Sequence, residues 1–193
     1  MKLSIVHQES YSRLELILRT LFGAFYIILP HFFILFFISL WGSILSFIAF
    51  WVVLFTGRYP ESMFEYQVQL LRWQIRVNAR MSNLADDYPS FGLTAKDDHV
   101  SLEVPYPERI SRGLLLLRVF FGVVYVIAPH FFILFFRVIW GSILTFLAWF
   151  MVLFTKRFPA SWHEFLVGTI RWNTRVTLYM SFMTDDYPPF SSK

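Results

Sequence analysis

A few residues of this chain combine type and setting in a way that could do chemistry. His31 and His130 each follow a proline, Pro30 and Pro129, inside long apolar runs. Ionisable groups within membrane segments are functional candidates by default. Two histidines at one depth could relay protons, or ligate a metal or haem. The blander reading makes each a neutral ring bonding a backbone carbonyl that the adjacent proline frees. No further candidate ligand stands at that depth, which weakens the metal case, and no cofactor is implied. Arg19 and Arg118 stand one turn inside the same runs. They could grip a lipid phosphate, snorkel to the surface, or pair with an acid.

Two further groups carry charge. Arg72, Arg76 and Arg80, with Arg171 and Arg175, recur at helical spacing beside Trp73 and Trp172. Near an anionic membrane such arginines attract headgroups. A solvated face bridged to nearby acids is the alternative. Asp86-Asp87-Tyr88-Pro89 and Asp185-Asp186-Tyr187-Pro188 offer paired carboxylates. Adjacent carboxylates without a nucleophile or histidine at fixed spacing make no acid–base pair. They read as turns that end a helix and pair with Arg58 or Arg157. There is no glycine-rich phosphate loop, zinc-protease pair or nucleophile elbow.

These residues come in twos because the chain is duplicated. A shift of 99 positions aligns residues 10–91 with 109–190 without a gap, giving 44 identities in 82 pairs. The shared blocks include PHFFILFF, WGSIL and DDYP. Three parts follow: a first repeat over 1–91, a polar linker over 92–108, and a second repeat over 109–193. The linker contains one short alternating stretch, Val100 to Val104, that reads as a strand.

The elements that must hold these residues are helices in lipid. From Thr20 to Gly57 no residue carries a formal charge. A straight helix over that run is about 57 Å long, against a hydrocarbon core of about 30 Å. The expectation is therefore two spans per repeat, turning near 37–41 and 136–140, with Arg137 and the tryptophans Trp41 and Trp140 at the turns. The spans would be 15–37, 41–56, 114–136 and 140–155. After Arg58-Tyr59-Pro60 an amphipathic helix follows over 61–84, with a counterpart in the second repeat. Basic on one side and aromatic on the other, each would lie in the headgroup plane. The fold class is all-α: four transmembrane helices as two parallel hairpins, each followed by a cytoplasmic interfacial helix.

Composition agrees. The chain has 193 residues, 56% hydrophobic, 21% aromatic and 16% charged, with 24 Phe. Soluble domains average about 25% charged. Cysteine is absent, so disulfides and thiolate metal sites are excluded. All but one of the 17 Lys and Arg lie away from the expected tips, which puts both termini in the cytoplasm. The apolar run is too long for a cleaved signal.

Taken together, R-[YF]-P, R-W-x-x-R-V and D-D-Y-P-x-F, closing a Phe-rich run, resemble a bacterial membrane family catalogued as a domain of unknown function, number 4389. The resemblance covers 13–91 and 112–190. It implies a bacterial inner-membrane protein and carries over no catalytic residue. The repeats differ where Phe64 becomes His163, Arg80 becomes Tyr179 and Ile38 becomes Arg137. The expected function is a non-enzymatic inner-membrane module that binds anionic headgroups or a membrane-protein partner, and no nucleic acid. The competing class is a small proton- or ion-coupled transporter or channel using His31 and His130. The oligomeric state stays open.

Overall fold

A computed structural model describes all 193 residues. The element order is β1 (Lys2–Ile5), α1 (Arg13–Thr56), α2 (Glu61–Met81), β2 (Val100–Glu103), α3 (Arg112–Thr155) and α4 (Ala160–Met180). Two of the four helices, α1 and α3, are 44 residues each and are long and apolar enough to cross a membrane.

Each long apolar run is one helix, so the turns expected at 37–41 and 136–140 are absent. The reason is local. Phe37-Ile38-Ser39-Leu40-Trp41 offers no Gly, Pro, Asn or Asp to make a turn, and the Ser43 hydroxyl bonds back to the Ser39 carbonyl at 3.0 Å, within an unbroken helix. The interruption comes earlier. A wide π turn covers Ala24–Ile28 in α1 and Val123–Ile127 in α3, just before Pro30 and Pro129. Such a turn relieves the clash that a proline ring makes within a helix. Ser12 and Ser111 cap the two helix starts, accepting from Glu15 N–H at 3.3 Å and Leu114 N–H at 3.4 Å. The helices end at Gly57 and Lys156, both left-handed, at φ 72° and 60°. Glycine takes that conformation freely and lysine does not.

Beyond Pro60 and Pro159 the chain turns back. Helix α2 runs antiparallel along α1, and α4 along α3. The Tyr66 hydroxyl donates to the Ile38 carbonyl at 2.7 Å, and the Gln67 amide donates to Gly42 and Ser46. Close approach is possible because Gly42 and Gly141 carry no Cβ. One added there would stand 3.0 Å from Leu70 or Leu166 respectively. The expected lipid-plane helices are therefore packed against the long helices, and their apolar stripe is covered by protein.

The two repeats interlock end to end. Tyr11 N–H donates to Lys156 O and Ile110 N–H to Gly57 O. Arg13 caps the Phe154 carbonyl and Arg112 the Phe55 carbonyl. The start of each long helix thus lies against the end of the other, so α1 and α3 run antiparallel. Strands β1 and β2 pair antiparallel with Leu3 opposite Leu102, positions equivalent under the repeat shift. A pseudo-two-fold axis passes through that pair. The strand expected within the linker is present. Two apolar cores form, one on each side of the axis. One joins Leu16, Ile75, Ala79, Ala148, Val152 and Val167, and the other joins Ala49, Val53, Val68, Leu115 and Leu178. The layers are the long helices, then α2 and α4, then the ribbon with its loops.

Candidate functional site

The duplicated residues converge on the π turn of each long helix. Arg19, 5% exposed, donates from Nη2 to Asp86 Oδ1 at 2.9 Å. It also donates to Asn83 Oδ1, the Ala85 carbonyl and Glu15. Asp86 Oδ2 accepts the Ser12 N–H at 2.7 Å. One carboxylate therefore ties the end of α2 to the cap of α1. Arg118 and Asp185 repeat the pairing, with Ser111 N–H on Asp185 Oδ2. The acid that the arginines could pair with is this one. The expected partners of the aspartates, Arg58 and Arg157, are not used. Those two lie exposed just past the ends of the long helices, whereas Asp86 and Asp185 sit at the helix start of their own repeat, on the Ser12 and Ser111 N–H groups.

His31 and His130 are fully buried. The Trp73 indole N–H donates to His31 Nδ1 at 2.8 Å, and Trp172 to His130 Nδ1 at 2.9 Å. An indole N–H only donates, so Nδ1 is unprotonated and each ring is neutral with its proton on Nε2. Phe91 stacks on His31 with centroids 4.0 Å apart and Phe190 on His130 at 4.1 Å. Tyr88 and Tyr187 close the third side. Neither Nε2 meets a partner of hydrogen-bonding geometry.

The proline-freed carbonyl goes to a different residue from the one expected. Pro30 has no N–H, and the carbonyl one helical turn back belongs to Tyr26. It is the Tyr88 hydroxyl that donates to it, at 2.8 Å, and Tyr187 does the same for Tyr125 at 3.0 Å. Each DDYPxF segment thus spends its Asp on the arginine, its Tyr on the carbonyl and its Phe on the histidine. The second Asp differs between copies. Both side chains are exposed, but the Asp87 carboxylate faces His99 at 3.3 Å and Asp186 has no such neighbour.

The basic stripes of α2 and α4 are covered. Arg76 is 2% exposed and donates to the Gly92 and Ala95 carbonyls. Arg175 donates to the Ser191 carbonyl. Burial pushes both guanidinium groups below the ordinary arginine range. Arg72 and Arg171 reach the ribbon at the Leu102 and Leu3 carbonyls. Arg80 is buried against Asp97. Arg137 turns inward, donates to Thr169 and Phe165, and lies over the Phe165 ring, so it marks no tip.

The exposed surface carries the opposite character. All but six of the exposed large apolar side chains belong to the two long helices. The exceptions are Val6, Tyr88, Phe91, Tyr106, Tyr187 and Phe190. At one end of this apolar face stand exposed Arg13, Lys156 and Arg157, and at the other Arg58, Arg109 and Arg112.

A family model described as a domain of unknown function, DUF4389, matches residues 13–92 and again 114–192. The chain belongs to the DUF4389 family, in two tandem copies. No curated protein and no solved structure matches the chain. The first DUF4389 match opens at Arg13, the first helical residue, and closes just past Phe91, the ring stacked on His31. The family unit therefore coincides with one complete Arg–Asp tie and one aromatic cage. The sequence carried a signal for the cage: the spacing from His31 to Trp73 is repeated from His130 to Trp172.

Proposed function

We propose that the protein is a non-enzymatic membrane module whose long helices sit in lipid and whose basic ends hold anionic headgroups. The observation that carries this reading is the segregation of the surface. A wide apolar face lies on α1 and α3, and exposed cations cluster at both of its ends. Cations at the margin of an apolar face are placed to meet lipid phosphates, each adding about 1 kcal/mol near an anionic surface. Headgroup contact thereby moves from the covered stripes at Arg76 and Arg175 to Arg13, Arg58, Arg112 and Arg157. We place the protein in a cytoplasmic membrane with its charged layer toward the cytoplasm, in keeping with the distribution of Lys and Arg. Four separate spans have no support in helices that run unbroken through the expected turns.

The transport reading needs a polar path to both histidines. Each ring is instead enclosed by Trp, Tyr and Phe of its own repeat, and Nδ1 is already committed to an indole. His31 lines no surface cavity of note. The shallow one that reaches His130 is walled mainly by Ile127, Phe131, Leu134, Phe135, Val138 and Val176, so it offers an apolar approach and not a polar path. The headgroup reading is tested with protein reconstituted in mixed phosphatidylcholine and phosphatidylglycerol, using spin-labelled forms of each lipid. The native chain is expected to prefer phosphatidylglycerol, and the quadruple variant R13Q/R58Q/R112Q/R157Q to lose that preference. R72Q/R171Q is expected to keep it. An unchanged preference in the quadruple variant would overturn the reading.

A further inference from the structure

We infer that the protein lies within a single leaflet, with both long helices along the membrane plane and the pseudo-two-fold axis along the membrane normal. The inference rests on the reading that α1 and α3 sit in lipid, and it specifies how they sit.

The symmetry decides the orientation. Arg13 meets Phe154 and Arg112 meets Phe55, contacts that interchange under the repeat shift. Midway between them along the helices lie Ile34 and Ile133, so the axis passes between those residues and emerges through the Leu3–Leu102 pair. Were the antiparallel helices to cross the bilayer, this axis would lie in the bilayer midplane. The ribbon on the axis would then sit at hydrocarbon depth. That ribbon exposes Lys2 and Glu103, and the loop before it exposes Lys96 and Asp98. Charges at that depth are found facing a bundle interior or a water-filled cavity, not free on an outer surface. With the axis along the normal, ribbon and loop stand in water above the membrane.

Length leads to the same orientation. Exposed apolar residues run from Leu14 to Phe55 along α1. That is about 62 Å of helix, twice the roughly 30 Å hydrocarbon thickness. A helix lying in the plane meets no such mismatch. Its outward residues all meet lipid at one level, which suits a face where exposed tryptophans occur both mid-helix, at Trp41 and Trp140, and toward the end, at Trp51. Tryptophan favours the interfacial level. Beyond the first turn of each helix the charged residues, Arg19, Arg118 and Arg137, all turn toward protein. The occupant of the apolar face is therefore a lipid monolayer.

The absence of cysteine makes the test direct. Leu14, Phe25, Phe36 and Phe47 are exposed and evenly spaced, each step being close to three full helical turns. Single-cysteine variants at these positions, spin-labelled in phosphatidylcholine–phosphatidylglycerol vesicles, report depth as accessibility to oxygen against a water-soluble nickel chelate. The expected result is the same lipid depth at all four, matched by Val124, Phe135 and Phe146 on α3, with a label at Ser4 fully accessible to nickel. A profile that is deepest at position 36 and reaches water at both ends would overturn the inference while leaving the lipid reading intact. Nickel accessibility at every label would overturn both.

Discussion

Asp86→Asn probes the tie that fastens the end of α2 to the start of α1. Asp86 serves Arg19 through one oxygen at 2.9 Å and the Ser12 N–H through the other at 2.7 Å. An amide keeps a single acceptor oxygen and carries no charge. Removing one partner of a buried ion pair costs about 3–5 kcal/mol, because the remaining charge is left uncompensated. Glu15 stays within 3.3 Å of Arg19, so the lower end of that range, about 3 kcal/mol, is expected. Whole domains are stable by about 5–15 kcal/mol, so the loss is large. The assay is urea unfolding in detergent micelles followed by tryptophan fluorescence. Asp185→Asn should repeat the loss, and the two should add because they act in separate cages. The double variant R19M/D86N should recover part of the loss, since it strands no charge. A cost for Asp86→Asn below about 1 kcal/mol, the level of an exposed pair, would refute the argument. Equality of the double variant with the sum of its singles would refute it too.

Three further outcomes are expected. Burial, foremost among its surroundings, holds the His163 imidazole below its ordinary pKa of 6.5. As pH falls the unfolded chain therefore takes up the proton first. Stability should drop below about pH 6.5 and stop dropping once the folded group titrates as well. His163→Phe, which copies Phe64, should make that part of the stability–pH curve less steep, and an unchanged slope would contradict the assignment. Lys156→Gly should raise the unfolding midpoint, gaining about 1 kcal/mol by relieving the left-handed backbone at φ 60°. Tyr88→Phe leaves the Tyr26 carbonyl without its donor beside lipid, where water is scarce. A loss of about 1–3 kcal/mol is expected in the same urea assay.

The duplication, the helical content and the linker strand were legible because they rest on local pattern. Repeat identity located every residue of the two cages, although not their partners. Arg19 and Asp86 stand at opposite ends of the first repeat, and nothing local distinguishes Asp86 from Asp87 as the arginine's partner. The expected hairpins came from dividing the uncharged run between Thr20 and Gly57 by the bilayer thickness. That division assumes a helix crossing the bilayer. The residues themselves, Phe37 to Trp41, include no Gly, Pro, Asn or Asp to make the turn. The stripe of Phe64, Val68, Leu71 and Ile75 was recognised as apolar, but periodicity does not say whether lipid or protein covers it. Here Phe64, Val68 and Ile75 are buried within the protein cores. For the same reason the pattern does not show what meets the arginines along α2 and α4: Arg76 and Arg175 bond to carbonyls of the chain that follows, Arg72 and Arg171 reach the ribbon, and Arg80 pairs with Asp97.

The end-to-end seating of the two repeats has a consequence for chains that carry only one. A single copy leaves both ends of its long helix without the neighbour that supplies Tyr11 N–H to Lys156 O and Ile110 N–H to Gly57 O. The geometry it needs is that of an isologous homodimer, in which each patch meets its own copy. Joining both copies in one polypeptide fixes the stoichiometry and releases the halves from identity. Arg137 beneath α4 and Ile38 beneath α2 could coexist in such a fused pair and not in a homodimer of one copy. So could Tyr179 against Tyr125 in one half and Arg80 against Asp97 in the other.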